Sequence, residues 1–155
     1  VLAERLRGTY KMLHLPDGLS QDSLHMLMTC EPQIKEIGDL ISRTDVLLFG
    51  IGTAMRMADQ RHIADDVRKQ LVDNHAVGEA LGQYCDIDGK LIYSTNNIGL
   101  SLPDVAKIPN VIAVAGGQDK SSAIIGVMRA CQKGILIIDE QAAEGMRQLL
   151  QISAL

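Results

Sequence analysis

Lys120 lies three residues beyond a pair of adjacent glycines, Gly116 and Gly117, with Gln118 and Asp119 between them. A turn of that composition offers free backbone N–H groups and the positive end of a helix dipole beside a cation. That combination suits an anion, phosphate first of all. Asp119 is the expected N-cap of the following helix, which puts Lys120 in the first helical turn, where a cation is disfavoured by about 0.3–1 kcal/mol. A solvated surface lysine tolerates that penalty, and a lysine that holds an anion explains it. The spacing is not that of a Walker loop, because G-x-x-x-x-G-K-[ST] is absent.

Other residues could share the chemistry. Gly50 and Gly52 form a second glycine turn after an apolar run, but Met55 stands where a dinucleotide fingerprint needs its third glycine. Glu79 interrupts a small, apolar segment; it either faces solvent or accepts hydrogen bonds from sugar hydroxyls. Arg61 can fork onto a carboxylate, a phosphate or a hydroxyl pair, or remain a solvated loop residue. Asp139 reads most simply as a helix cap, and His75 as structural or as an acid–base group. The four histidines lack H-x-x-x-H spacing and no cysteine pair supports them, so neither a metal nor any other cofactor is expected. No G-x-S-x-G elbow is present.

The elements that must position these residues are legible from periodicity. A helix ending at Gly8 opens the chain, and residues 10–15 read as a strand ended by Pro16. Ser20 caps a short helix, and Pro32 starts another with Ile34, Ile37, Leu40 and Ile41 on one face. The continuous apolar run at 45–49 is expected to be a central parallel strand covered on both faces. A short helix at 54–57, a helix led by Asp65 and Asp66, and a hairpin with Gly89 in its turn follow. One helical turn is expected at 102–107. Strands near 111 and 134 alternate with helices, the last capped by Asp139 with Ala142, Ala143, Met146, Leu149 and Leu150 facing in. The result is an α/β fold with a mainly parallel, Rossmann-like sheet flanked by helices and a β-hairpin excursion. In such a sheet the turns at 50–53, 116–120 and 139–140 share one edge, where ligands bind.

Bulk properties narrow the class. The 155 residues fit one domain spanning 1–155. A net charge of −4, with one Phe, three Tyr and no Trp, argues against a nucleic-acid surface. Cys30, Cys85 and Cys131 are odd in number and set in apolar segments, so buried thiols in a reducing cytoplasm are expected. No signal peptide is present and no apolar run approaches the ~20 residues that span a bilayer, so a cytoplasmic protein with no membrane partner is expected. The chain begins at Val1 without a methionine, as though inside a helix, and is expected to be an N-terminally truncated piece.

Several stretches in order carry a resemblance: DVLLFGIG at 45–52, AVGEALG at 76–82 with Asp86, Asp88 and Gly89, VIAVAGG at 111–117 with Lys120, and IIDEQAA at 137–143. Together they resemble the effector-binding domain of the SorC family of bacterial transcription regulators. GTYKMLHLPD at 8–17 and VDNHAV at 72–77 are most similar to its glycolytic branch. The resemblance implies a fold related to sugar-phosphate isomerases and deaminases, used for sensing rather than turnover. It also implies a phosphorylated sugar as effector and a homo-oligomer. Lys120 would touch phosphate, while Arg61 and Glu79 would hold sugar hydroxyls. The family's helix-turn-helix and its glycine-threonine phosphate loop are not seen here, so DNA is expected as a partner only through a missing N-terminal domain. An isomerase or deaminase using Glu79, His75 or Asp139 is the alternative.

Overall fold

The computed structural model describes residues 2–15 and 18–151. It forms two compact units, Val1–Arg43 with Asn96–Ile98 and Thr44–Thr95 with Gly99–Leu155.

The first unit holds three helices, α1 (Leu2–Arg5), α2 (Gln21–Cys30) and α3 (Pro32–Ile41). α1 closes with Arg7 in the left-handed region (φ 54°), while the Gly8 N–H reaches back to the Ala3 carbonyl at 2.8 Å. The left-handed residue is therefore Arg7, one position before the expected Gly8. Residues 10–15 form no strand. The described residues of this unit contain no strand to pair with them, and an extended segment without a ladder leaves its backbone groups to solvent. Met12, Leu13 and His14 line a groove with Leu27, Ile34 and Ile37 instead. Pro16, the expected end of that strand, lies outside the described residues. Ser20 caps α2, its hydroxyl accepting from the Ser23 N–H at 3.1 Å, and Pro32 opens α3 as its first residue. Ile34, Ile37 and Ile41 are half-buried, whereas Leu40 stays exposed.

The second unit runs β1 (Val46–Gly50), β2 (Gly52–Thr53), α4 (Ala54–Gln60), α5 (Asp65–Asp73), β3 (Gly78–Ala80), β4 (Gln83–Cys85) and β5 (Leu91–Ser94). A 3-10 helix (Leu102–Lys107), β6 (Asn110–Ala115), a 3-10 turn (Gln118–Lys120), α6 (Ser121–Cys131), β7 (Ile135–Ile138) and α7 (Glu140–Leu149) complete it. Strands β1, β6 and β7 form a parallel sheet in that order; β2, β3, β4 and β5 form an antiparallel one. The fold is thus α/β, with a parallel sheet flanked by helices and, among the described residues, no closed barrel.

The order corrects one expectation: β6 is the central strand and β1 lies at the edge. Burial alternates along these strands. Phe49, Val111, Ala113 and Ala115 point into the core, while Val46, Leu48, Val114, Ile135 and Ile137 are exposed. A run of consecutive aliphatics suggested cover on both faces, yet here one face is open.

The hairpin with Gly89 in its turn (φ 84°) is β4–β5, extended by β2 and β3 into four strands. Between β3 and β4 the chain reverses at Leu81 and Gly82, both left-handed (φ 55° and 78°), the pattern of a two-residue hairpin turn. Helix α6 presents Ala123, Ile124, Val127 and Cys131 to a core shared with Phe49, Ile51, Leu102, Val105 and Val111. Each large aliphatic so buried contributes about 1.5–3 kcal/mol. Gly78 permits this packing, since a Cβ there would stand 2.7 Å from the Ala123 carbonyl oxygen. A second cluster joins Ala54, Ala58, Leu71 and Tyr84.

α7 buries Ala142 and Gly145 and half-buries Met146; Ala143 and Leu149, expected inside, are exposed, as is Leu150 beyond the helix end. The heavier inward face would not fit, because Gly145 already abuts Ser121. Cys85 and Cys131 are buried as expected, but Cys30 is exposed near the end of its short helix. Among the described residues, no helix is long and apolar enough to cross a membrane.

Candidate functional site

Parallel pairing sets Gly50 beside Val114 and Ala115 beside Ile138, so the carboxyl ends of β1, β6 and β7 stand together. Beyond the first two lies a cavity of about 460 Å3. Its polar lining is Arg56, Gln60, Arg61, Glu79 and Lys120; Gly50, Gly52, Met57 and Leu81 complete much of the wall.

Local geometry explains how each side chain arrives. β1 passes almost directly into β2, and Gly52 pairs antiparallel with Glu79 on β3, which brings that acid to the end of the parallel sheet. A Cβ on Gly52 would strike Met57 and lie 3.9 Å from Glu79 Oε2, so glycine keeps the space in front of the carboxylate open. α4 starts directly after β2 and carries Arg56 and Gln60 one turn apart on one face. It stops at Arg61, and His62 turns left-handed (φ 49°).

Glu79 is 3% exposed. Its Oε1 accepts the Gly82 N–H at 2.7 Å and Arg61 Nη2 at 3.2 Å. Burial pushes the carboxyl above its ordinary value, while the Arg61 charge and the Gly82 hydrogen bond pull the other way without cancelling that rise.

Lys120, also part of the lining, ends the 3-10 turn and immediately precedes α6. Its N–H is bonded to the Gly117 carbonyl at 3.1 Å, and its side chain reaches the cavity. The expectation of Asp119 as N-cap is corrected, as the helix starts later, at Ser121, and its N-cap position is Lys120 itself. Asp119 instead folds back beside Gly117, which adopts φ 97°. The Gly117 N–H, expected to face an anion, donates to Asp139 Oδ2 at 2.8 Å.

The cavity therefore unites Gly50, Gly52, Arg61, Glu79 and Lys120. Gly116, Gly117, Gln118 and Asp119 support Lys120 from the adjacent turn without lining the space. His75 sits left-handed (φ 56°) past the end of α5 and does not line it either. Arg56 and Gln60 were not anticipated. Their signal was available: two polar residues four apart on a helix that starts straight after a glycine turn. Among the described residues, neither Arg56 nor Lys120 is paired with a carboxylate, and no group of three or more His, Cys, Asp or Glu could hold a metal ion.

Residues 1–148 match a family described as "Putative sugar-binding domain". The chain is similar to the central glycolytic genes regulator of Bacillus subtilis, 37% identical over 143 residues that cover 92% of this chain and 42% of that protein. It thus spans less than half the length of that relative. Among solved structures it resembles the "putative SorC family transcriptional regulator" of Enterococcus faecalis, with a TM-score of 0.85 and 37% identity over 94% of this chain and 59% of that one. The full-length sorbitol operon regulator SorC of Klebsiella pneumoniae shares the fold, with a TM-score of 0.75 at 23% identity over 93% of this chain and 47% of that one.

Proposed function

The chain belongs to the family of sugar-binding domains found in SorC-type transcriptional regulators, and from that premise we propose that it senses a phosphorylated sugar of glycolysis without transforming it. The observation that carries this reading is one cavity lined by two unpaired cations, Lys120 and Arg56, and by a buried, oriented carboxylate. Cations at a strand-end turn suit phosphate, and a fixed carboxylate accepts from vicinal hydroxyls. In this reading Lys120 holds the phosphate, while Glu79 and Arg61 hold the sugar. Gly50, Gly52, Gly116, Gly117, Gln118 and Asp119 shape the two turns around it. Residues 1–155 act as one effector-binding domain, DNA is contacted by another part of the regulator, and copies of the chain associate.

Sensing rather than turnover is supported by the relatives the chain matches, which are transcriptional regulators. Glu79 holds Oε1 on two hydrogen bonds and keeps Oε2 toward the space that Gly52 leaves open, where it can accept from a hydroxyl. His75 and Asp139, the other candidate acid–base groups, do not line the cavity, and Asp139 is held by the Ala142 and Gly117 N–H groups.

Calorimetry with fructose 6-phosphate, fructose and inorganic phosphate tests the proposal. Fructose 6-phosphate should bind tightest, and Lys120→Ala should weaken both phosphates by about 1.5–3 kcal/mol. Arg61→Ala or Glu79→Gln should weaken fructose 6-phosphate and spare inorganic phosphate. Equal affinity of the wild type and Lys120→Ala for every ligand would overturn the site. Conversion of fructose 6-phosphate to an isomer would establish the enzyme alternative instead.

A further inference from the structure

Asp139 divides its carboxylate between two elements. Oδ1 accepts the Ala142 N–H at 2.8 Å and so caps α7, while Oδ2 accepts the Gly117 N–H at 2.8 Å. The turn is built to admit it, since a Cβ on Gly116 would stand 2.7 Å from Oδ2. Ser121 adds a second tie, its hydroxyl lying 2.8 Å from the Gln118 carbonyl and 3.2 Å from that of Ala142. Gly145 lets α7 close on the same turn, where any side chain would meet Ser121. Lys120 is the last residue of that turn and the one that reaches the cavity.

We propose that Asp139 is a positioning residue for the effector site: through the Gly117 N–H it holds the turn that aims Lys120 into the cavity. The inference rests on the reading of Lys120 as the phosphate anchor. Asp139 makes no contact with the ligand itself. Its charge alone would act against anion binding, so positioning and simple electrostatics predict opposite signs when that charge is removed.

Asp139→Asn separates the roles. Asparagine caps helices about as well as aspartate, so its amide oxygen can keep the Ala142 bond and the stability of α7. Its NH2 group then meets the Gly117 N–H, donor against donor, and the tie is lost. Thermal unfolding of the variant should match the wild type, while inorganic phosphate and fructose 6-phosphate both bind about tenfold more weakly. Asp139→Ala should lose both stability and affinity. Unchanged or tighter phosphate binding by Asp139→Asn would overturn the proposal. Lys120→Ala, measured alongside, keeps the two readings apart. If Lys120→Ala weakens phosphate and Asp139→Asn does not, the positioning role fails alone; if Lys120→Ala has no effect, the site reading fails with it.

Discussion

Arg61 reaches Glu79 from the end of a helix, its Nη2 standing 3.2 Å from an oxygen that the Gly82 N–H also holds at 2.7 Å. The acid is buried while the base is partly open to solvent, so the pair is asymmetric. Removing the cation strands a buried carboxylate; removing the carboxylate releases a cation that can still find water.

Arg61→Ala should therefore cost about 1–3 kcal/mol of stability, more than Glu79→Gln, which keeps an acceptor for the Gly82 N–H. The double variant should recover much of the loss from Arg61→Ala, because the stranded charge is gone. Urea unfolding of the four proteins as a double-mutant cycle measures the coupling directly. Strictly additive losses would mean that the pair does not interact.

Glu79 also predicts a pH dependence, and its sign follows from burial. An acid whose folded pKa lies above its ordinary value, 4.5 here, binds its proton more tightly folded than unfolded. That contribution favours folding below 4.5 and is lost as pH rises through the raised value. As pH rises from 4.5 through the raised value, the wild type should lose stability relative to Glu79→Gln, which has no proton to lose at this position. A difference that runs the other way would show that Arg61 and the Gly82 N–H outweigh desolvation.

Much of this arrangement is legible in the sequence. The glycine turns after residues 49 and 115, the Ser20 and Asp139 caps and the alternation of strands with helices are local signals, each written within a few residues. What escaped was non-local. The run at 46–49 has the composition of a doubly covered strand, but strand order is decided by which chain segments pair, and periodicity does not carry that. The reversal at Leu81 was hidden because leucine rarely takes a left-handed conformation. Arg61 was read as a fork onto a carboxylate, a phosphate or a hydroxyl pair, or as a solvated loop residue, and that Glu79 is the carboxylate it meets needed the strand pairing of Gly52 with Glu79 to become visible.

The sidedness of the parallel sheet can be tested by truncation. Ile124 is fully buried, whereas Ile137 is 52% exposed on the outer face. Ile124→Ala should cost about 2–5 kcal/mol, and Ile137→Ala well under half of that. Sedimentation adds a second readout: if copies associate over the outer face, Leu48→Lys with Ile137→Lys should shift the chain toward monomer. Equal destabilisation at both isoleucines would mean that something covers the outer face in solution.

Two helical glycines with equally close neighbours should respond to alanine with opposite signs. A Cβ on Gly38, in α3, would meet the Met28 terminal methyl and sulfur, the far end of a flexible side chain. Met28 can turn aside, so Gly38→Ala should keep most of the gain in helix propensity, about 0.8–1 kcal/mol. A Cβ on Gly126, in α6, would run into the Asp86 carbonyl oxygen and lie 3.0 Å from Val77 Cγ2. Backbone has no loose end to move, so α6 would have to back away from the chain beside β4, at a cost of about 1–3 kcal/mol. That exceeds or offsets the same propensity gain, and Gly126→Ala should be net destabilising despite favouring the helix itself. Amide exchange read separately on α3 and α6 decides it, since each change should register on its own helix. Stabilisation of α6 by Gly126→Ala would mean that its approach to Asp86 is looser than the backbone positions require.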